Sequence, residues 1–381
     1  QWAQEKLLYQ DDDLNNIITN GMLPVWIAGT CSWGHFDDLD TEAFSEEIIR
    51  MKNNGASAII STTRLISVTS NAYFTREIFK SIFQDGLITN DPIGIVMQSV
   101  KDGSSSGELF QLFGDPAMKI ALPHYSINIT NISPDTLRTL DTARVYVNQE
   151  IDVDGSGIGF LSLNDADNIV TRQYSISSTN QELSYSLPGK TLFKGQFSFQ
   201  GESFSALMRI PKDISYSDEN GKINVYMILD EYPSREAIGS GQNIVLMGGN
   251  SVQDVSGPII SFEDENGKQL RNGDHLDRGK QLYLRLSDPI GINLTGEVGH
   301  EIIFSDVSNG NDIDITHLFI YDENSITTGK IPIVYLDNDN LNFQIQAWDN
   351  ANNPSQKDIK LFIINNNDII LFNVFNYPNP F

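Results

Sequence analysis

With one cysteine in 381 residues, Cys31, the chain can form no internal disulfide. Histidine is scarce too, and the five present, His35, His124, His275, His300 and His317, bound the choice of a catalytic base. Basic side chains number 25 against 50 acidic ones, a formal charge of -25. That balance argues against a phosphate-neutralising face and so against nucleic acid as a partner. No window holds about 20 consecutive apolar residues, so nothing reads as a membrane-spanning helix. No secretory signal pattern opens at Gln1, and the shortage of cysteine fits either redox compartment.

What is present suffices for two to three folded domains, since 40% of the residues are hydrophobic and 10% aromatic. The acidic surplus reads first as solubility, with bound calcium or a cation-rich surface layer as secondary readings. The texture changes once. Up to about Phe113, helical segments alternate with short apolar runs: Leu14 to Asn20, a strand running to Thr30, a helix Glu42 to Asn54, a strand Ala58 to Thr62, a helix Asn71 to Phe83, one opened by Asp91-Pro92, and a helix-like Glu108 to Phe113. From about Ile120, segments rich in Ile, Val, Tyr, Phe and Thr recur between Gly, Asn and Asp turns, such as Ala143 to Val147 and Leu192 to Phe199. A turn at Asp254-Val255-Ser256-Gly257-Pro258 begins another such series, with strands near Ile259 to Glu263, Gln281 to Asp288, Ile331 to Tyr335, Leu341 to Trp348 and Lys360 to Asn365. The expected fold class is α/β followed by all-β sandwich domains, with divisions at 1–118, 119–253, 254–368 and 369–381.

Cys31 closes the apolar run Pro24 to Thr30 and precedes the loop Ser32-Trp33-Gly34-His35-Phe36-Asp37-Asp38. An open α/β sheet presents its ligands and catalytic groups at such a strand end. A buried, inert thiol is the competing reading. In the catalytic reading, Cys31 is the nucleophile of an acyl transfer and amides of the turn hold the oxyanion. His35, Asp37 and Asp38 are candidate cleft residues. His35 is four residues from Cys31, close enough in a helical turn, although a triad base normally comes from elsewhere in the fold. His124, His275, His300 and His317 read as surface or packing residues. Glu46 and Glu47 read as a solvated or dipole-stabilised helix face. Asp152-Val153-Asp154-Gly155 resembles a calcium loop without its closing Glu and reads as a sheet-edge turn, so no metal ligand is assigned.

Cys31 with Phe36-Asp37-Asp38, the helix carrying Ala43 to Glu47, the strand Gly55 to Ser61 and the later Leu112 to Ala117 resemble the gingipain-type cysteine peptidases. The resemblance continues through Phe204 to Tyr216, Asp254 to Pro258, Gly291-Ile292-Asn293, Gly299-His300, Trp348-Asp349-Asn350 and the terminal Asn376 to Phe381. Within that family it points to the branch acting as signal peptidase and sortase of the type IX secretion system. It implies a caspase/gingipain-like α/β domain, cut so that its carboxyl-terminal part is here, then Ig-like sandwiches and the start of one more β domain. The catalytic histidine of that family stands in a Gly-His-Gly segment shortly before a Trp-Ala pair. Trp2-Ala3 therefore implies a histidine upstream of Gln1, and a chain alone without activity. No cofactor is expected, with calcium open only as the secondary reading of the acidic surplus. The implied partners are exported proteins with C-terminal secretion signals and other outer-membrane components of that system, at the extracellular face of the cell surface. A general peptidase like the gingipains is a weaker option. A non-catalytic surface scaffold or adhesin with a degenerate peptidase-like domain is the alternative.

Overall fold

The computed structural model describes residues 14, 17, 19, 23–52, 54–84, 87–103, 106–121, 123, 125–149, 155–176, 179–215, 220–230, 235–249, 252–307, 310–333 and 340–364. The chain divides into two compact units, the first Gln1–Tyr125 with Thr171–Leu183, the second Ser126–Val170 with Ser184–Phe381.

The first unit is built on a three-stranded sheet, β1 (Val25–Ile27), β2 (Ala58–Thr62) and β3 (Phe110–Gly114), in that order. β1 runs parallel to β2 and β3 antiparallel to it. Three helices connect them: α1 (Phe44–Arg50), α2 (Val68–Ile82) and α3 (Ile93–Asp102). Strand alternation sends Ala58 and Ile60 to a core with Phe74, Ile78 and Met97, while Ile59 packs with Phe44 and Ile48. The sheet is thus covered on both faces, which explains why the run before Cys31 is apolar throughout. Phe74 and Phe110 stack with ring centroids 3.6 Å apart and are both buried.

α1 is shorter than the expected 42–54 because Ala43 stays extended as its N-cap, and Met51 leaves the helix before Gly55 turns at φ 87°. Pro92 caps α3, as a proline with no free N–H is suited to do. The expected helix over Glu108 to Phe113 is overturned. Only Gly107–Leu109 makes a 3-10 turn, and Phe110 to Gly114 pairs with β2 from Thr62 to Ala58. A run of six residues has too few turns to form a stable helix, and the open edge of β2 supplies the missing hydrogen bonds. The expected helix at Leu14 to Asn20 lies largely outside the described residues.

The second unit is nearly all β. Along the chain to Met247 come β4 (Tyr125–Ser133), β5 (Thr142–Gln149), β6 (Ser156–Asn164), β7 (Asn168–Ile176), β8 (Thr179–Leu187), β9 (Thr191–Gln200), β10 (Ser203–Arg209), β11 (Gly221–Leu229) and β12 (Glu236–Met247), of which the Thr171–Leu183 part of β7 and β8 belongs to the first unit. In its second half are β13 (Ile259–Asp264), β14 (Leu282–Ser287), β15 (Ile303–Asp306), β16 (Ile320–Tyr321), β17 (Thr328–Ile333), β18 (Asn340–Trp348) and β19 (Pro354–Ile364). One sheet runs β10-β5-β4-β12-β11-β6-β9-β16-β17-β14-β13, and β19, β18 and β15 belong to a facing sheet. Between the two sheets, Phe262 and Leu284 share a core with Phe343, Ile345 and Leu361. The two β halves therefore share a sheet, joined where Gly195 of β9 pairs with Tyr321 of β16. Tyr321 is fully buried, stacks on Phe193 at 4.9 Å, and its hydroxyl accepts from Ile292 N and donates to Ile292 O. Asp152-Val153-Asp154 and the stretch 369–381 lie outside the described residues.

Candidate active site

Parallel strands β1 and β2 end side by side, and the loops that follow them meet there. Each loop begins where its strand's apolar alternation gives way to small polar residues: Gly29-Thr30-Cys31-Ser32 after β1, Ser61-Thr62-Thr63-Arg64 at the end of β2. The parallel ladder is extended by Ala28 N donating to Ile60 O at 2.8 Å. The chain then turns sharply, with Ser32 in the left-handed region at φ 60°. Cys31 stands just before that turn, half-buried.

The turn is held by Thr62. Its Oγ1 donates to Thr30 O at 2.7 Å and accepts from Ser32 N at 2.9 Å, and its carbonyl accepts from Gly34 N at 2.9 Å. Gly34 leaves no room for a side chain, because a Cβ there would stand 2.5 Å from the Phe113 ring and 2.6 Å from Ser61 Oγ. Trp33 then packs on Phe44 with centroids 4.6 Å apart, anchoring the loop to α1. The Cys31 thiol donates to Ile66 O across 3.5 Å, so the second loop supplies its hydrogen-bond partner.

The three cleft candidates gather one step further out. His35 Nε2 is 3.5 Å from Asp37 and its Nδ1 3.8 Å from Asp38. Arg64, from the loop after β2, grips both oxygens of Asp37 and also donates to Thr63 O at 2.8 Å. The Arg64 guanidinium holds the Asp37 carboxyl below the ordinary carboxylate range. Asp38 accepts from Asp40 N and Thr41 Oγ1, which likewise lower its carboxyl and make it a turn former ahead of α1. Among the described residues, then, the Cys31 hydrogen bond goes to Ile66, and His35 has carboxylates rather than the thiol as its ionic neighbours. Glu46 caps its own helix by accepting from Ala43 N at 3.1 Å. The amides of Ser32 and Gly34 are committed to Thr62, so neither is free for an oxyanion. Thr62, Arg64 and Ile66 were not singled out from the sequence. The run Ser61-Thr62-Thr63 was the available signal, because three buried hydroxyls at a strand end must bond something.

The remaining described histidines belong to the second unit. His300 packs beside Trp348, with tilted rings whose centroids are 4.6 Å apart, and its Nδ1 also lies 2.7 Å from Asp213 Oδ2. Asp213 also accepts from Asn293 and Asn352. Burial opposes the charge on Asp213, but these donors outweigh it and keep its carboxyl below the usual range. His124 lies outside the described residues. In the same unit Asp254, Asp288 and Asp349 bring carboxylate oxygens within 4.8 Å of one another. Asp288 and Asp349 are buried, and desolvation, with the neighbouring carboxylates adding to it, pushes the Asp288 carboxyl up to about 6. These are the oxygen donors a hard cation such as calcium takes.

Residues 1–121 match the model of peptidase family C25. That match supports a gingipain-type peptidase. The C25 segment thus holds Cys31, Thr62, Arg64 and all three strands of the first sheet. No curated protein matches the chain. Among solved structures it is similar to dimeric latent PorU from Porphyromonas gingivalis, at 23% identity and TM-score 0.39, over 87% of this chain and 33% of that one. It is also similar to a structure described as a protease, at 14% identity and TM-score 0.28 over 61% and 50%, and to the sporulation control protein Spo0M from Bacillus subtilis, at 10% and 0.21 over 63% and 91%. With TM-scores this low, none of the three bears on the assignment. The chain spans about a third of the length of the PorU chain. Among the described residues no helix is long and apolar enough to cross a membrane.

Proposed function

We propose that Cys31 is the nucleophile of a cysteine peptidase that removes C-terminal signal domains from proteins exported by a type IX secretion system. The observation that carries this reading is the position of Cys31. Within the C25 segment it stands at the carboxyl end of a parallel strand, before a left-handed turn, half-buried. The histidine that the resemblance puts in a Gly-His-Gly segment, a segment absent from these 381 residues, takes the proton of Cys31, and the thiolate attacks the scissile carbonyl. The acyl-enzyme is released to water or to an amine of surface polysaccharide, the second route making the protein a sortase at the cell surface. Segments beyond residue 121, among them Gly291-Ile292-Asn293 and Trp348-Asp349-Asn350, support the secretion-system branch by their resemblance to it.

The test is alkylation by iodoacetamide at about pH 6 and about pH 9, on this chain and on one extended upstream through a Gly-His-Gly segment. The extended protein is expected to react nearly as fast at the lower pH, and replacing Cys31 by Ala abolishes release of the signal domain. Slow, equal reaction at the lower pH in both proteins would leave the scaffold reading in its place.

A further inference from the structure

We infer that Thr62 is a positioning residue for the Cys31 nucleophile, a hydroxyl brace that spans the cysteine from the neighbouring strand. The inference rests on the peptidase reading for its catalytic meaning, whereas the brace is a matter of geometry.

Thr62 is the last residue of β2 and is fully buried. Its single hydroxyl hydrogen goes to Thr30 O at 2.7 Å, since a carbonyl can only accept. The oxygen then receives Ser32 N at 2.9 Å. One side chain thereby bonds the residue before Cys31 and the residue after it. With Gly34 N on its carbonyl, Thr62 holds three points of the five-residue stretch 30–34. Below it Ser45 Oγ and Ser61 Oγ are 2.9 Å apart, both wholly buried, which ties β2 to α1 and stiffens the strand end that carries the brace.

The turn needs such a constraint. A non-glycine residue at φ 60° is held against its backbone preference and persists where its surroundings over-determine it. Without the brace the Ser32 amide loses its partner, the peptide plane between Cys31 and Ser32 is free to rotate, and the thiol moves with it. A nucleophile displaced by about 1 Å can lose on the order of a hundredfold in rate. Valine has nearly the shape of threonine but makes neither bond, and serine keeps both. That pair of substitutions isolates the hydroxyl.

The experiment compares Thr62→Val, Thr62→Ser and the unchanged chain by the rate of Cys31 alkylation with iodoacetamide, well below the melting temperature of each. Thr62→Val is expected to raise the rate about tenfold, because the released turn frees the thiol from the Ile66 carbonyl more often, and Thr62→Ser is expected to stay within about twofold. A packing role alone would lower the melting temperature and leave the rate in the folded protein unchanged; that result overturns the brace. Should the valine variant not fold, hydrogen exchange at the Ser32 amide of the unchanged protein decides instead. Slow exchange supports the brace, and exchange as fast as an open loop amide refutes it. Failure of the peptidase reading shows up separately, as slow alkylation near pH 6 in the upstream-extended protein, and leaves the variant ratio intact as a measure of the brace.

Discussion

The turn around Cys31 and the turn around Asp349 use the same materials to opposite ends. At Asp349 the side chain itself takes three donors, Ala351 N and Asn353 N on one oxygen and the Asn353 amide on the other, each at 2.8 Å, with the residue wholly buried. At Cys31 the bonds finish around the side chain, on Thr30 O and Ser32 N, and the thiol keeps one long contact at 3.5 Å. A group that absorbs its donors is fixed and inert. A group whose neighbours absorb them is fixed in place and still free to react, as pre-organised catalytic groups must be.

The largest expected effect falls on the inert side. Asp349→Ala leaves three part-buried donors without their acceptor and should cost the β unit on the order of 2–4 kcal/mol in urea unfolding. A loss under about 1 kcal/mol would mean the donors find other partners and the contrast is false. Asp288 comes next. Its carboxyl is raised from 3.8 to about 6 in the folded protein, so folding favours its protonated form. Stability from this group is fully present below about pH 4 and is lost as pH rises toward about pH 6. Asp288→Asn should therefore gain up to about 2 kcal/mol at neutral pH in the presence of a chelator, with the gain vanishing near pH 4. A gain that does not change with pH would show that the carboxylate charge is not what strains that cluster. The smallest effect is at the rim of the Cys31 site. Asp37 and Arg64 are solvent-exposed, so Arg64→Gln should leave the melting temperature unchanged within error.

Strands were legible where the pattern is local and strong. Ala58 to Thr62 is predicted to its ends, and Leu192 to Phe199 lies within β9, because alternation and β-branched residues specify a strand without help. Phe110 to Gly114 was not, since only pairing with β2 decides its conformation. In the site, Cys31 announced itself by sitting at a strand end. Thr62 and Arg64 did not, because their roles depend on strands β1 and β2 ending side by side, some thirty residues apart in sequence. Glu46, read as part of a dipole-stabilised face, proved to be a capping residue, a role that needs only the local chain.

Tyr321 has a consequence for how the β unit comes apart. Its ring lies on Phe193 of one β half while its hydroxyl grips both polar groups of Ile292 in the other. Neither half can melt without stripping the other of a buried aromatic face, so the two sandwich segments should be lost together, as one cooperative unit, and neither is a module that could be lifted out and expected to stand by itself.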